Sequence, residues 1–261
     1  MQMRKTVQEL KVISNQQLND DHHILQLEAP EPLGIIKPGQ FANLLVDNSP
    51  IVFLRRPFSI YSVDYVKNTI SIYIKIIGEG TRKLANCQVG SYINVMYPLG
   101  NSFTIPADRE IILLVGGGSG VASLMGLAQE LIKNSNQVSI LIGARSLTDL
   151  VELDEFSKYG TVYTTTEDGS GGVKGYVTDH PVFGDKLSDF TRIYSCGPEP
   201  MMKAVAAKAK ENAIICEVSL ENSMACGFGV CLCCIAETIH GHKCVCTDGP
   251  VFNTNQLKWQ I

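Results

Sequence analysis

A group of cysteines near the end of the chain limits what this sequence can fold into more than any other feature. Six of its nine cysteines lie between positions 226 and 246. Cys226, Cys231 and Cys234 are spaced C-x4-C-x2-C, and Cys246 provides a fourth thiol. The plant-type [2Fe–2S] loop has this spacing before a separate fourth cysteine. We therefore predict that these four cysteines bind a [2Fe–2S] cluster.

The residues around these cysteines favour an iron–sulfur loop over three alternatives. Gly227 and Gly229 suit it, because a loop wrapped around a cluster needs positive φ angles and backbone N–H groups directed at sulfur. The odd number of cysteines and the length of the chain argue against a disulfide framework. Structural zinc is the stronger alternative, but its best-known four-cysteine form has a two-residue gap on both sides. A Rieske centre needs two histidine ligands, and His240 and His242 form no Cys-x-His pair.

The composition describes a globular protein and argues against two classes of partner. At 261 residues, with 45% hydrophobic and 18% charged residues, the chain is long enough for two domains and a small addition. A net charge of −4 argues against a nucleic-acid surface. No apolar run approaches the roughly 20 residues of a membrane span, and the start of the sequence lacks the apolar core of a signal peptide. We expect a protein of the reducing cytoplasm, with no nucleic-acid or membrane partner.

The first hundred residues predict six short strands and little helix. Between Ile70 and Ile76 every second residue is isoleucine, which is the period of a sheet with one buried face. A helix is predicted only at 78–85. These features are typical of an antiparallel six-stranded barrel or a sandwich. The predicted strands are 7–13, 24–27, 41–46, 57–63, 69–77 and 92–97.

After residue 106 strands alternate with helices, which predicts a parallel sheet wound by right-handed crossovers. One apolar strand runs into the glycine-rich turn 116–120 and a helix, and a later strand runs into Cys196-Gly197-Pro198 and another helix. Ligands of such sheets bind beyond the carboxyl ends of the strands, where both corners lie. We predict three domains: a barrel at 1–104, a nucleotide-binding α/β domain at 105–218 and a small cysteine domain at 219–261.

Short motifs at these strand ends suit phosphates and rings. The glycines of the turn let a phosphate approach backbone N–H groups at a helix start, although a turn that serves only packing is the alternative. Arg56-Pro57-Phe58-Ser59 offers a cation for a pyrophosphate, with an aromatic ring and a hydroxyl for a ring system. Gly78-Glu79-Gly80-Thr81 offers a second helix start. The sequence contains no recognisable acid–base machinery, so we predict no catalytic side chain and assign the chemistry to bound cofactors.

Together these motifs resemble the ferredoxin–NADP reductase superfamily. Within it, a flavin barrel, a nucleotide domain and a C-terminal C-x4-C-x2-C…C are similar in order to the electron-transfer subunit of class B dihydroorotate dehydrogenase. The most specific matches are S-L-E-N-S-M-A-C-G-F-G-V-C-L-C-C and V-C-T-D-G-P-V-F. The resemblance covers essentially the whole chain.

The resemblance implies FAD on the barrel, NAD(H) at the glycine corners, the [2Fe–2S] cluster on the four cysteines, and a partner. The partner would be an FMN-containing catalytic subunit that oxidises dihydroorotate in pyrimidine biosynthesis, assembled with two copies of each chain. The implied FAD residues are Arg56, Pro57, Phe58, Ser59, Tyr73, Ile74, Lys75, Gly80 and Thr81. The implied NAD residues are Gly117, Gly118, Gly120, Cys196 and Gly197, with Cys196 near the nicotinamide.

The implied function is electron transfer from the FMN of this partner, through the cluster and FAD, to NAD+. The chain alone is not expected to oxidise dihydroorotate. A related NAD(P)H–ferredoxin-type reductase subunit is the alternative, and a zinc-binding module is a more distant one. Cys244 competes with Cys246 as the fourth ligand. Arg145 would accept the 2′-phosphate of NADP, whereas Glu167 and Asp168 would repel it, which favours NAD.

Overall fold

A closed antiparallel barrel forms the first part of the computed structural model, which describes residues 5–47, 51–107 and 109–259. Its strands are β1 (Thr6–Gln17), β2 (His22–Glu28), β3 (Phe41–Leu44), β4 (Arg56–Asp64), β5 (Thr69–Lys75) and β6 (Tyr92–Leu99). The order around the barrel is β1-β2-β5-β4-β3-β6, and it closes because β1 pairs with both β2 and β6. The predicted six-stranded barrel is confirmed.

The one predicted helix of this part is α1 (Glu79–Ala85). At its start, the hydroxyl oxygen of Thr81 accepts hydrogen bonds from the backbone N–H groups of Ile77 and Gly78, with N–O distances of 2.9 and 3.1 Å. These bonds satisfy donors before the first helical turn, so Thr81 shapes the helix start.

Aliphatic side chains from alternate strand positions fill the barrel. Ile70, Ile72 and Ile74 of β5 are fully buried in this core. The prediction that β5 has one buried face is wrong at Tyr73, which is only 3% exposed. Tyr73 lies on the outer face and joins Tyr61 in an apolar cluster that includes side chains of the second domain. That domain covers a face which the alternation within β5 alone predicted to be exposed.

A seven-stranded sheet forms the second part of the chain. Its parallel strands are β7 (Ile111–Gly117), β8 (Gln137–Ala144), β9 (Thr161–Thr166), β10 (Val173–Lys174), β11 (Arg192–Cys196) and β12 (Ile215–Ser219). The helices between them are α2 (Ala122–Lys133), α3 (Leu153–Ser157) and α4 (Glu199–Glu211). The predicted parallel-sheet domain is confirmed. Among the helices of the described residues, none has the length and apolar character that a membrane crossing requires.

The strand order of this sheet reverses at β7. Strands β8, β9 and β10 extend it on one side of β7, whereas β11 and β12 extend it on the other. The carboxyl ends of β7 and β11 are adjacent, with Gly116 in register with Cys196. Ligands of open α/β sheets bind at such a switch point. Helix α2 follows the β7 corner and packs against β4, which brings this point to the barrel.

The cysteine segment lies between two neighbouring strands of the same sheet. After β12, a small hairpin of β13 (Ile235–Thr238) and β14 (Gly241–Cys244) forms, and β15 (Val251–Asn253) then pairs antiparallel with β12. The sequence analysis predicted none of these three strands. Each has only three or four residues, too few to show an alternation.

Candidate functional site

A cleft of ≈ 430 Å³ lies between the barrel and the carboxyl edge of the second sheet. The glycine turn contributes Ser119 to its walls, and the segment from Ser219 to Met224, which follows β12, contributes another side. The structure therefore brings the barrel, the nucleotide corner and the start of the cysteine segment together. The predicted FAD residues that line the cleft are Arg56, Pro57, Phe58, Ser59, Tyr73, Lys75 and Thr81.

Gly80 and Arg56 lie against each other at the start of α1. A Cβ atom on Gly80 would be 3.1 Å from Nε of Arg56, so a larger residue would push against the guanidinium group. Nη1 of Arg56 donates to the carbonyl oxygens of Leu54 at 2.8 Å and Arg55 at 3.3 Å, which leaves the N–H groups of Nε and Nη2 for a ligand. Gly80 thus allows a cation to stand beside the helix start, as a phosphate site requires.

The three predicted residues of β5 have different surroundings. Ile74 is buried in the barrel core, so only its backbone is available to a cofactor on the outside. The ring of Tyr73 stacks on that of Tyr61, with centroids 6.0 Å apart. Nζ of Lys75 lies 3.4 Å from Oδ1 of Asp149 of the second domain. Lys75 therefore joins the two domains at the edge of the cleft.

The predicted glycines after β7 serve two purposes. A Cβ atom on Gly120 would lie 2.4 Å from the carbonyl oxygen of Cys196, and one on Gly117 would lie 2.5 Å from Sδ of Met201. These two glycines allow the β7 and β11 corners to pack closely. Gly118 has open space around it and a φ of +55°, which other residues adopt rarely. Gly118 is therefore the glycine of the three with room for a ligand.

A second cleft, of ≈ 510 Å³, adjoins the first, and the two share the wall formed by Leu220, Glu221 and Asn222. Gly197 lines this second cleft at the start of α4. Of the predicted NAD residues of the β11 corner, Gly197 therefore lies beside the first cleft, on the far side of a three-residue wall. Cys196 is fully buried and lines neither cleft.

Glu221 is a site residue that the sequence analysis missed. The thiol of Cys196 donates to its Oε1 over 3.8 Å. The carboxyl of Glu221 lines both clefts, and the surrounding walls partly desolvate it. This desolvation raises the pKa of Glu221 above that of a free glutamate. Burial, and then the charge of Glu221, raises the pKa of the Cys196 thiol. The signal for Glu221 was its place just after the last parallel strand, at the edge that carries both corners.

The loop that begins at Cys226 has the backbone that a cluster requires. Gly227 and Gly229 have φ angles of +79° and +89°, so the chain turns back around Cys226. The N–H of Phe228 points to Sγ of Cys226 at 3.5 Å. Backbone N–H groups directed at sulfur stabilise a thiolate ligand. This loop therefore fits a thiolate-bound cluster.

The four predicted ligands lie as two hydrogen-bonded pairs, Cys226 with Cys231 and Cys234 with Cys246. Burial alone would raise the pKa of Cys226, but N–H groups of the loop and the thiol of Cys231 lower it to about 6. Burial, and then the Cys234 sulfur, raises the pKa of Cys246 to about 12. Across the described ranges, no three His, Cys, Asp or Glu side chains surround one point as ligands of a single ion do. Two thiol pairs fit a centre with two irons, each bound by two cysteines.

Cys246 has the better position for the fourth ligand. It is 1% exposed, and its backbone N–H donates to Sγ of Cys234 at 3.4 Å. Cys244 lies in β14, where it pairs with Ile235, and its backbone N–H donates to Oδ2 of Asp248 at 2.9 Å. These contacts favour Cys246 over Cys244.

Three family profiles match the chain in the predicted order. "Oxidoreductase FAD-binding domain" matches residues 9–103, and "Oxidoreductase NAD-binding domain" matches residues 114–207. "Iron-sulfur cluster binding domain of dihydroorotate dehydrogenase B" matches residues 221–258. The prediction of FAD, NAD and an iron–sulfur cluster as the cofactor classes is confirmed.

Full-length relatives decide the family. A Shouchella clausii protein named "Dihydroorotate dehydrogenase B (NAD(+)), electron transfer subunit" is 36% identical, with 98% of this chain and 99% of that protein covered. A Fusobacterium nucleatum protein of the same name is also 36% identical, with 97% and 98% covered. The chain belongs to the dihydroorotate dehydrogenase B electron transfer subunit family. The resemblance inferred from the motifs is confirmed.

Solved structures agree with this fold. A chain of the NADH-dependent reduced ferredoxin–NADP oxidoreductase, studied for flavin-based electron bifurcation, superposes with a TM-score of 0.85 at 29% identity, covering 96% of this chain and 90% of that one. The ferredoxin reductase of carbazole 1,9a-dioxygenase gives a TM-score of 0.71 at 22% identity, covering 81% and 67%. The second likeness shows the fold alone.

Proposed function

We propose that this chain reduces NAD+ with electrons from a partner subunit that contains FMN and oxidises dihydroorotate. Bound FAD and a [2Fe–2S] cluster would supply the change between one-electron and two-electron transfer. One observation carries the proposal: the segment from Ser219 to Met224 lines the flavin cleft, and the first cluster ligand, Cys226, follows it two residues later. The chain itself thereby connects the two redox sites by a short segment.

We assign the barrel wall of the cleft to FAD. Arg56 would bind the pyrophosphate beside Gly80, while Phe58 and Ser59 face the flavin ring. Tyr73 and Lys75 would hold the remainder along β5, with Ile74 contributing through its backbone. The support for this assignment is that these side chains share one cleft.

We assign the β7 and β11 corners to NAD(H). Gly118 has the space for a phosphate, and Gly197, which lines the second cleft, would face the nicotinamide. The fully buried Cys196 would act from behind Gly197, through its contact with Glu221. The Cys196 thiol donates to Glu221, and both groups have raised pKa values. Glu221 lines both clefts, so its carboxyl can orient a ring there by a hydrogen bond. Glu167 and Asp168 follow β9 and would repel a 2′-phosphate, which supports NAD over NADP.

The outer surface of the cysteine loop suits a protein partner. Phe228, Val230 and Leu232 are 45%, 72% and 58% exposed, and all three lie between the predicted cluster ligands Cys226 and Cys234. Contiguous exposed apolar groups mark interaction surfaces. We place the FMN-containing subunit here, in an assembly of two copies of each chain. We also propose a reducing compartment such as the cytoplasm, because the thiols of the proposed cluster ligands must stay reduced.

The test is to purify the chain together with whatever binds it, and to measure iron, sulfide, flavin type and dihydroorotate-dependent NADH formation. We expect FAD and a [2Fe–2S] cluster in this chain, FMN in a co-purifying partner, and NADH formation only when both are present. Dihydroorotate oxidation by the isolated chain would contradict the division of roles.

The likeness to a ferredoxin–NADP oxidoreductase chain supports one other candidate, a reductase subunit that exchanges electrons between NAD(P)H and a ferredoxin. It predicts no FMN-containing partner and no response to dihydroorotate, so the same purification separates the two. A zinc-binding module would be colourless, whereas flavin with [2Fe–2S] absorbs in the visible range.

A further inference from the structure

Asn43 of the flavin barrel touches the first cluster ligand. It lies in β3 and is fully buried, and its Nδ2 lies 3.4 Å from the carbonyl oxygen of Cys226. A Cβ atom on Gly227 would come within 2.6 Å of the same Nδ2. The glycine therefore lets the cysteine loop sit directly on this amide.

The stability of the barrel does not explain an asparagine at this position. Ala42 and Leu44 point into the barrel core, so the Asn43 side chain between them points to the opposite face, where its Oδ1 is buried without a hydrogen-bond partner. A buried polar atom left unpaired costs free energy, so an apolar residue would suit this position better if only packing mattered. The amide must serve something other than the core.

Asn43 is also connected to the flavin strand. It is in register with Pro57 of β4, within the segment assigned to FAD. Nη1 of Arg55, which lines the flavin cleft, donates to the backbone oxygen of Asn43 at 3.3 Å and to that of Asn94 at 2.9 Å. One residue thus joins the flavin wall to the first cluster ligand.

A second asparagine holds the other end of the cysteine loop. Nδ2 of Asn101, which follows β6, donates to the carbonyl oxygens of Asp248 at 2.8 Å and Thr247 at 3.3 Å. Its backbone N–H donates to the carbonyl oxygen of Gly249 at 2.6 Å. The side chain of Thr247 in turn packs against Gly229, where a Cβ atom would be 2.9 Å from its methyl group. Asn101 thus fixes the segment that follows Cys246.

We propose that Asn43 and Asn101 are positioning residues that hold the two ends of the cluster loop on the flavin barrel and tune the reduction potential of the cluster. The inference rests on the proposed function. Hydrogen bonds and solvent exposure around the sulfurs set the potential of an iron–sulfur cluster, and such outer contacts also affect metal affinity. The N–H groups of the Asn43 amide face the loop, so they favour the reduced, more negative cluster.

Asn43→Leu removes these donors and keeps the number and branching of side-chain heavy atoms, and the protein is studied with its native cofactors and partner. We expect normal FAD content and normal NADH–ferricyanide reductase activity, because the cleft residues are unchanged. The midpoint potential of the cluster should become more negative, and the EPR g values of the reduced cluster should change. Iron loss to a chelator should become about fivefold faster, as loss of one hydrogen bond of about 1 kcal/mol predicts.

Asn15→Leu is the matched control. Nδ2 of Asn15 donates to the carbonyl oxygens of Ala85 and Cys87 at 2.8 and 2.9 Å, so it ties β1 to the end of α1 without touching the cysteine loop. This variant should leave the potential, the g values and iron loss as in the wild type. Asn101→Ala is a second test variant, for use if Asn43→Leu does not fold, because it changes an exposed residue. It should speed iron loss and alter the EPR spectrum in the same way as Asn43→Leu.

An unchanged potential, EPR spectrum and rate of iron loss in Asn43→Leu, or in Asn101→Ala in its place, would overturn the inference. An equal change in Asn15→Leu would do the same, because the effect would then be general destabilisation. Wild-type protein that lacks iron or flavin would instead overturn the proposed function itself, so the two failures can be told apart.

Discussion

The flavin cleft and the cysteine loop are both redox sites, yet different interactions build them. The walls of the cleft are strands whose inner faces are buried, and two glycines pack its corners against each other. Between Met224 and Ile235, by contrast, the chain forms neither helix nor strand, and several of its large apolar residues are exposed. The cleft is shaped by burial before any cofactor binds, whereas the loop depends on metal–thiolate bonds. Damage to one site should therefore leave the other largely intact.

The largest expected effect is that of Cys226→Ser. Loss of a thiolate ligand should remove the cluster and reduce dihydroorotate-dependent NADH formation to background. NADH–ferricyanide reductase activity and FAD content should stay close to wild type, because the cleft does not need the loop. Iron analysis and EPR spectra measure the first result. Cys233→Ser, in the same loop but not a predicted ligand, is the control, and loss of FAD in Cys226→Ser would contradict the independence of the two sites.

Arg56→Ala tests the reverse case, in which the flavin cleft is damaged and the cysteine loop is left intact. Loss of a charged hydrogen-bond donor should weaken FAD binding roughly 10- to 100-fold, since such bonds contribute about 1.5–3 kcal/mol. Iron content should not change. Fluorescence titration of the flavin-free protein with FAD measures the effect, and Arg82→Ala on the exposed side of α1 is the matched control. Equal losses in both variants would argue against a specific role for Arg56.

Gly120→Ala tests whether glycine packing builds the nucleotide corner. The added Cβ would lie 2.4 Å from the Cys196 carbonyl oxygen, a contact that the backbone must move to relieve. We expect a loss of about 1–3 kcal/mol in stability, typical of overpacking, and weaker NADH binding. Thermal unfolding measures the first effect. Gly126 lies within helix α2, and a Cβ there would be 3.5 Å from its nearest atom, the carbonyl oxygen of Tyr61. Gly126→Ala should therefore be slightly more stable than the wild type.

The smallest effect concerns pH and Glu221. The raised pKa of its carboxyl means that the neutral form persists above the usual range and is lost as pH rises through that pKa. NADH–ferricyanide reductase activity of the wild type should therefore fall as pH rises through that pKa. Glu221→Gln keeps a neutral side chain at every pH and should lack this decline, whereas Glu237→Gln in the second cleft should retain it. The same decline in Glu221→Gln would exclude the carboxyl as its cause.

How much the sequence predicted depended on the range of the interactions involved. Local alternation located β5 and its neighbours, and the spacing of the cysteines indicated a cluster. Tyr73 was misjudged because the domain that covers it lies far along the chain. Glu221 was missed although its place just after β12 was predictable, because only the strand order shows that the ends of β7, β11 and β12 are adjacent. Gly117 and Gly120 fitted a phosphate turn in sequence, but their close neighbours, Met201 and Cys196, come from another corner.

The return of β15 to the sheet has a consequence for the cysteine loop. Because β12 and β15 are hydrogen-bonded neighbours, the segment between Ser219 and Val251 is a closed loop whose two ends are anchored in the same sheet. Anchored ends limit the conformational entropy of this loop when no metal is bound. Removal of iron should therefore make the loop more mobile without separating it from the barrel. When iron is added back, the cysteines need to sample only a small range of positions to bind it again. A truncation before residue 251 removes the second anchor and should slow this reconstitution.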